Sequence, residues 1–212
     1  RAKAELLMRI EAQAVVIGGG LTGAGILRDL AERGVSAVLV ERRDIDAGAS
    51  GANHGLLHSG GRYIVKDPLS AGECVQENRI LKRVAAGCIE DTGGFFVALE
   101  EDEDTYIDAF LRGAEEVGLP VEEVSWPAAR EEEPYLVERC KAIYRVPDAS
   151  INPFLATRAN LAAARARGAQ VLLHTQVIAL KREGGRLTGV TAINGRTGQE
   201  VEIQAEQVIS AA

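Results

Sequence analysis

The feature that most constrains this chain is the glycine pattern Gly18-x-Gly20-x-x-Gly23, which stands between runs of different periodicity. The run QAVVI at 13–17 precedes the pattern and predicts a short buried strand, whereas residues 22–33 carry apolar side chains at helical spacing. A second apolar run, SAVLV at 36–40, predicts another strand. This order predicts a β-α-β unit with parallel strands and a right-handed crossover.

The three glycines of this pattern suit the binding of a dinucleotide. Gly18 permits the tight turn, Gly20 lets the backbone approach a pyrophosphate, and Gly23 lets the helix pack against the strand. Leu21 and Thr22 stand at the N-terminus of the predicted helix, so they are predicted to contact a cofactor where free N–H groups and the helix dipole receive its phosphates. The alternative is a glycine turn without a ligand.

Glu41 ends the second predicted strand, 18 residues after Gly23. A carboxylate in this position can accept hydrogen bonds from both ribose hydroxyls of an adenosine, which strengthens the prediction of a dinucleotide site. The alternative is a glutamate on the surface. Arg42 follows, and the sequence leaves open whether its side chain lies over an adenine or on a solvated edge.

The stretch AGASGANHGLLHSGG at 47–61 is too rich in glycine for a stable helix or strand. A long irregular loop in a compact domain is usually functional, with a mobile surface loop as the alternative. An NAD domain usually continues here into an ordinary crossover, so the loop favours FAD, beside whose pyrophosphate and flavin ring it can run. Ser50 is predicted to donate a hydrogen bond to the pyrophosphate. The other predicted cofactor contacts of this loop are Asn53, His54, Gly55, Leu57 and His58.

The remaining chain alternates predicted helices and strands. A helix at 70–86 is predicted to turn four side chains inwards, Cys74, Ile80, Leu81 and Val84. Further helices are predicted at 105–117 and 152–167, and strands after Gly93-Gly94 and at 142–147. The last β-runs are VLLHTQVIAL, which places His174 in a strand, RLTGVTAIN, EVEIQA and QVISA. They predict a small antiparallel meander.

Composition excludes several classes of protein. Hydrophobic residues at 46% and charged residues at 26% indicate a globular chain rather than a disordered one. A net charge of −7 disfavours nucleic acid as a partner. Three cysteines without a C-x-x-C pair favour neither a disulfide framework nor zinc, and the acidic run at 100–104 is a solvated turn, so no metal site is predicted. The apolar strand at 207–211 ends the sequence, so we expect an N-terminal fragment.

Three stretches together, GGGLTGAGILRDLAERG, VLVERRDI and GASGANHGLLHSGGRY, resemble FAD-dependent glycerol-3-phosphate dehydrogenases, closest to the large flavoprotein subunit of the anaerobic enzyme. ECVQENRILKR and YRVPDASINPF fit the same family. Aerobic members tend to carry K-L-I-H-G-G-L-R-Y in the loop; Asn53-His54-Gly55 and Ser59 depart from it and indicate the anaerobic subgroup. A related loop occurs in 2-hydroxyglutarate oxidases, so a flavin-dependent 2-hydroxy acid dehydrogenase or oxidase is the alternative.

The resemblance implies an α/β fold, a Rossmann-like FAD-binding domain of the glutathione-reductase type interleaved with an α+β substrate domain, here truncated. It assigns residues 1–87 to the first part of the FAD domain and 88–150 to the first part of the substrate domain. It assigns residues 151–212 to the continued FAD domain. The remaining parts would follow Ala212.

The resemblance also implies a reaction, the oxidation of sn-glycerol 3-phosphate to dihydroxyacetone phosphate with hydride transfer to flavin. Arg62 would hold the phosphate, because a planar guanidinium suits phosphate oxygens. Tyr63 is a site residue or a core aromatic. His58 is a base, a flavin contact or structural. Val177 would meet the adenine through its backbone.

The family also implies partners. Electrons would pass through partner subunits of a membrane-associated complex to a quinone. The protein would be cytoplasmic, peripheral at the inner face of the cell membrane through those subunits. A third hypothesis is a non-catalytic nucleotide-binding module of a larger complex.

Overall fold

The computed structural model describes residues 7–212, so the first six residues of the predicted FAD domain lie outside it. The helices are α1 (Leu21–Glu32), α2 (Pro68–Val84), α3 (Asp104–Val117), α4 (Trp126–Glu132) and α5 (Pro153–Ala166). The strands are β1 (Met8–Ile17), β2 (Ala37–Val40), β3 (Leu56–Leu57), β4 (Ile89–Glu90), β5 (Gly94–Leu99), β6 (Glu122–Glu123), β7 (Cys140–Val146), β8 (Ala149–Ile151), β9 (Gln170–Leu172), β10 (Thr175–Glu183), β11 (Arg186–Asn194) and β12 (Glu200–Ser210).

The chain divides into two compact units. Unit 1 comprises the described residues up to His54 together with Pro153–Ala212, and unit 2 comprises Gly55–Asn152. The units thus divide at 54/55 and 152/153, and the domains predicted from the sequence, with boundaries at 87/88 and 150/151, stay a prediction. α2 belongs to unit 2 because it contributes Ala71 and Val75 to the core of that unit.

Unit 1 is built on a six-stranded sheet in the order β10-β11-β12-β1-β2-β9. β1 pairs in parallel with both β12 and β2, and α1 connects β1 to β2, so the predicted β-α-β unit is confirmed. Successive residues of a strand face opposite sides of the sheet. Val16 accordingly packs with Leu27 of α1 and Leu161 of α5, whereas Val15 packs in the cluster that contains Ile203. Both faces are covered, which explains why β2 is apolar at all four positions.

The antiparallel meander is present as β10-β11-β12, but its first and last strands differ from the prediction. The run VLLHTQVIAL is two strands, because His174 has a left-handed backbone with φ of 53° and lies in a turn rather than in a strand. β9 therefore pairs in parallel with β2, while β10 turns away to pair with β11. EVEIQA and QVISA form one strand, β12, which joins the meander to the parallel strands.

Unit 2 contains two three-stranded sheets, in the orders β3-β8-β4 and β5-β7-β6. Its core gathers Ile64, the inner side of α2 and the apolar face of α3. Phe96 of β5 stacks on Phe110 of α3 with ring centroids 5.0 Å apart. α3 ends at Gly118, whose φ of 70° is the left-handed conformation that closes many helices.

The inward face of α2 differs from the prediction. The buried residues of α2 are Ala71, Val75 and Asn78, whereas Ile80 and Val84 are 40% and 53% exposed. The apolar spacing misled the prediction because a polar residue, Asn78, occupies the buried face. Its side-chain amide donates to the carbonyl of Leu57 at 3.1 Å, so this buried polar side chain has a hydrogen-bond partner there.

Candidate functional site

The glycine turn between β1 and α1 is as tight as the sequence predicts. Gly18 has φ of 117°, and its N–H donates to the Val40 carbonyl at 2.9 Å. A Cβ added to Gly18 would lie 2.6 Å from the carbonyl oxygen of Ala211. A Cβ on Gly23 would lie 2.0 Å from the Gly18 carbonyl oxygen. Only glycine fits at both positions, because real Cβ atoms do not approach this closely.

Ser50 meets the first turn of α1. Its Oγ accepts a hydrogen bond from the Leu21 N–H at 3.0 Å, while Gly20 at the N-cap has no side chain to do so. A Cβ on Gly20 would lie 2.7 Å from the same oxygen. The hydroxyl hydrogen of Ser50 remains able to donate to another acceptor. The geometry thus leaves open the predicted donation to a pyrophosphate.

The Glu41 carboxylate is held by the backbone at both oxygens. Oε2 accepts from the Gly19 N–H at 2.8 Å and Oε1 accepts from the Arg43 N–H at 2.7 Å. A carboxylate has about four lone-pair sites, so each oxygen keeps one for a ligand. A Cβ on Gly19 would lie 2.8 Å from Glu41 Cβ. Gly19 was missed from the sequence, although the run Gly18-Gly19-Gly20 signals a backbone with no room for side chains.

These groups surround a cleft of about 530 Å³ within unit 1. This volume falls in the range of about 300–1,000 Å³ that is typical of small-molecule sites. The predicted site residues that line it are Gly18, Gly20, Thr22, Glu41, Arg42, Ser50 and Val177. The cleft is also lined by residues that were not predicted from the sequence, among them Arg43, Gly48, Ala49, Thr175 and Gln176. Thr175 lies at the cleft because its N–H donates to the Glu41 carbonyl at 2.7 Å, a contact between segments distant in sequence.

The structure divides the rest of the predicted loop between the two units. Asn53 and His54 belong to unit 1 but are not among the residues lining this cleft. The side-chain amide of Asn53 donates to the Ser50 carbonyl at 2.5 Å. Gly55 and Leu57 belong to unit 2, where Gly55 has φ of 72° and Leu57 pairs with Ala149 of β8.

His58, Arg62 and Tyr63 form one cluster in unit 2. The His58 ring meets Tyr63 edge-on with centroids 5.4 Å apart. The Arg62 guanidinium carbon lies 5.4 Å from the centroid of the same Tyr63 ring. His58 and Tyr63 are half-buried, whereas Arg62 is exposed. The three predicted catalytic residues are therefore neighbours, with one titratable ring and one cation at the surface of unit 2.

Two buried aspartates, one in each unit, were not predicted from the sequence. Asp46 is 4% exposed and Asp148 is 7% exposed. Asp46 accepts from the Thr157 hydroxyl at 2.8 Å, and its N–H donates to the Gly19 carbonyl at 3.2 Å. Burial raises the pKa of Asp46 above its ordinary value, although the Thr157 hydrogen bond opposes this. Within residues 7–212, its second oxygen, Oδ2, has no hydrogen-bond partner.

The cleft fits FAD on the evidence of its own atoms. Gly20 and the N-terminal turn of α1 form a backbone cradle that a side chain at Gly20 would fill. The N–H groups of this turn suit a pyrophosphate, and Glu41 presents an open acceptor on each oxygen to a ribose. The lining residues that could hold the adenosine end are Glu41, Arg42 and Val177, and those that could hold the pyrophosphate are Gly20, Thr22 and Ser50. Leu21 is not among the residues lining the cleft, and its N–H donates to Ser50 Oγ.

Comparison with known proteins identifies the class. The sequence model of the family described as "FAD dependent oxidoreductase" matches residues 13–212. The chain belongs to this family, whose cofactor is FAD.

Among curated proteins, the chain is 46% identical over 198 residues to the A subunit of the anaerobic glycerol-3-phosphate dehydrogenase of Escherichia coli K12. It is 44% identical over 213 residues to the A1 subunit of the enzyme of the same name from Haloferax volcanii. These matches cover 93% and 96% of the chain but only 36% of either relative. The chain thus spans about a third of the length of the curated relatives it matches.

Solved structures agree on the fold. The crystal structure of glycine oxidase from Bacillus cereus is 26% identical with a TM-score of 0.70, covering 95% of this chain and 55% of that one. The glycerol-3-phosphate dehydrogenase from Bacillus halodurans complexed with FAD has a TM-score of 0.69 at 24% identity, covering 95% and 34%. The predicted Rossmann-like α/β fold of an FAD-binding oxidoreductase is confirmed.

Two kinds of feature are missing from the described part of the chain. Within residues 7–212, no helix combines the length and apolarity that a bilayer crossing requires. The same part of the chain holds no cluster of three or more His, Cys, Asp or Glu side chains arranged to hold a metal ion.

Proposed function

We propose that the complete protein oxidises sn-glycerol 3-phosphate to dihydroxyacetone phosphate with FAD. The observation that carries this proposal is the 42–46% identity, over more than nine-tenths of the chain, to relatives named as the A or A1 subunit of anaerobic glycerol-3-phosphate dehydrogenase. Relatives named simply glycerol-3-phosphate dehydrogenase are less similar, at about 30% identity. This difference supports the anaerobic subgroup.

In this proposal unit 1 holds the cofactor. Bound FAD supplies the acceptor for the hydride that leaves C2 of the substrate. Glu41 accepts from the ribose hydroxyls, with Arg42 and the Val177 backbone beside the adenine. Gly20, Ser50 and the first turn of α1 donate to the pyrophosphate. Asn53 and His54 follow on the same loop and stay predicted cofactor contacts, as do Gly55, Leu57 and His58 of unit 2.

Unit 2 supplies the substrate groups in this proposal. Arg62 binds the phosphate, since its guanidinium is exposed on unit 2. His58 takes up the proton of the C2 hydroxyl or contacts the flavin, and Tyr63 fixes the relation between His58 and Arg62 through its ring. A histidine suits proton transfer near neutral pH. Unit 2 would then be the first part of the substrate domain.

We also propose that electrons leave through partner subunits to a quinone, with the complex at the cytoplasmic face of the cell membrane. The names of the relatives describe each of them as one subunit of an enzyme, which supports an assembly of several different chains. Purification of the complete protein with its associated chains, followed by quinone reduction with glycerol 3-phosphate, tests this step. Quinone reduction by the complete protein alone would contradict the need for partners.

The decisive experiment is the visible spectrum of the complete protein before and after anaerobic addition of glycerol 3-phosphate. We expect flavin bands that bleach. Bands that persist with glycerol 3-phosphate but bleach with 2-hydroxyglutarate would replace this proposal with a 2-hydroxy acid dehydrogenase. Folded protein without flavin would favour a nucleotide-binding module.

Two glycines of the same region provide a matched pair for the cofactor site. A Cβ on Gly20 would enter the cradle 2.7 Å from Ser50 Oγ, whereas a Cβ on Gly25 in α1 meets nothing within 4 Å. We expect Gly20→Ala to weaken FAD binding by at least about tenfold, a loss of about 1.4 kcal/mol. Gly25→Ala should bind like the wild type. Equal affinities of the two variants for FAD would show that the pyrophosphate does not bind at this turn.

A further inference from the structure

Ser59 is an anchored residue between two predicted catalytic groups. It follows His58 and precedes Arg62 by three positions, yet it is only 1% exposed. Its N–H and its hydroxyl both donate to one oxygen, Asp148 Oδ1, each at 2.6 Å. Hydrogen bonds to an ionised acceptor are shorter and about twice as strong as neutral ones. Two of them on one residue fix both its backbone and its side chain.

Asp148 is itself held in place by the surrounding strands of unit 2. It lies in the turn between β7 and β8, and the pairing of Leu57 with Ala149 brings it beside Ser59. Gly94 of β5 packs against it so closely that a Cβ there would lie 3.0 Å from Asp148 Cβ. The Lys82 ammonium donates to the neighbouring Pro147 carbonyl at 2.9 Å, which fixes the same turn from α2. The carboxylate is therefore a rigid acceptor.

The chain after Ser59 transmits this anchor to the catalytic cluster. Gly60 has φ of 103°, and its carbonyl accepts from the Tyr63 N–H at 2.9 Å in a single tight turn. The Tyr63 ring then contacts both His58 and Arg62. Ser59, His58 and Arg62 thus belong to one short segment, joined by the Gly60–Tyr63 turn and by the Tyr63 ring.

We propose that Asp148 is a positioning residue, which holds segment 58–63 so that His58 and Arg62 meet the substrate. This inference rests on the proposed function of that segment. Asp148 acts on the segment through the two hydrogen bonds that it accepts from Ser59. The segment is then preorganised before substrate arrives, which saves the ordering of a mobile loop on binding.

The test uses the complete FAD-loaded protein with Asp148→Asn and a matched control, Asp67→Asn. Asp67 also accepts from the N–H and the hydroxyl of one serine, Ser70, at 3.1 and 2.6 Å, but this pair is exposed at the start of α2. Each variant replaces a carboxylate that accepts two hydrogen bonds from one serine with a neutral amide. Hydrogen exchange of residues 57–64 and kcat/KM per bound flavin are measured for each. Ser59→Ala, which keeps the N–H bond, replaces Asp148→Asn if the latter does not fold.

For Asp148→Asn we expect faster exchange at 57–64 and a fall of at least about tenfold in kcat/KM, mainly through KM because Arg62 binds the phosphate. Asp67→Asn should stay within about twofold of the wild type. Faster exchange with unchanged kcat/KM per flavin would reduce Asp148 to a structural role, and unchanged exchange would overturn the anchor itself. If wild-type flavin bleaches with another substrate, the proposed function fails, and the same comparison is made with that substrate.

Discussion

Asp46 and Asp148 are two buried carboxyl groups that hold two different loops, and their surroundings differ. Each accepts from a buried hydroxyl, that of Thr157 or of Ser59. Asp148 also receives a backbone N–H on the same oxygen. Asp46 has instead an oxygen that is buried without a hydrogen-bond partner in the described part of the chain, and burial raises its pKa. A buried carboxylate stabilises a fold when donors surround it and destabilises it when they do not.

The largest effect should follow from removing the well-bonded carboxylate. Asp148→Ala leaves the N–H and the hydroxyl of Ser59 buried without an acceptor, at a cost of about 1–3 kcal/mol each. We therefore expect the free energy of unfolding to fall by about 3 kcal/mol, measured by urea denaturation of the FAD-loaded protein. A fall below about 1 kcal/mol would show that water or a neighbour replaces the lost acceptor.

A smaller effect is expected at the other aspartate. Thr157→Val keeps the volume of a fully buried side chain but removes its hydrogen bond to Asp46. We expect a loss of about 1–2 kcal/mol in the free energy of unfolding, since the buried Asp46 then accepts one hydrogen bond fewer. Thr157→Ser retains the hydroxyl and serves as the control. Equal stability of the Val and Ser variants would mean that this bond contributes nothing.

The pH dependence of stability should separate the two aspartates further. A raised pKa means that the folded protein holds the Asp46 proton more tightly than the unfolded chain does. The stability from this proton is complete below the ordinary pKa of about 3.9 and is lost as pH rises through the raised pKa of Asp46. Asp46→Asn removes this loss. The free energy of unfolding of the variant should therefore rise relative to that of the wild type as pH increases from the ordinary pKa of Asp46 through the raised one. Parallel stability profiles would show that Asp46 does not titrate in this interval.

The smallest effect belongs to an exposed carboxylate of similar chemistry. The hydrogen bonds from Ser70 hold the pKa of Asp67 below its ordinary value. Its contribution is present above the ordinary pKa and disappears as pH falls through the lowered one. Ser70→Ala should shift the unfolding midpoint at neutral pH less than either buried variant does. A shift as large as that of Asp148→Ala would show that burial is not what separates these carboxylates.

The cofactor cleft was largely predictable because its requirements are local. Gly18, Gly20 and Gly23 need a backbone without side chains, and that need is visible in a pattern of six residues. Glu41 was predictable because it directly follows β2, a strand whose length and apolar content fix its place. Gly18, Gly20 and Glu41 accordingly line one cleft of unit 1, whereas Gly23 packs against the Gly18 carbonyl beside it.

The aspartate contacts were not predictable because they join distant parts of the chain. Asp148 lies 89 residues from Ser59, and Asp46 lies 111 residues from Thr157. No periodicity or spacing connects such pairs. The prediction of the buried face of α2 was wrong for a related reason, since the buried Asn78 side chain has its hydrogen-bond partner in β3. Sequence patterns indicate where apolar residues pack, but they do not show which polar residues find partners inside.

β12 limits how the length of this chain can vary among related sequences. It has 11 residues, and Val201–Gln204 pair with both β11 and β1, whereas its later part pairs with β1 alone. Beyond its end, the Ala211 N–H donates to the Ile17 carbonyl, and the Ala211 carbonyl lies against Gly18. Deletion of one residue from β12 would move Ala211 by about 3.3 Å and turn half of the strand to the wrong face. We therefore expect insertions at the Gly195–Gly198 turn but a constant length in β12.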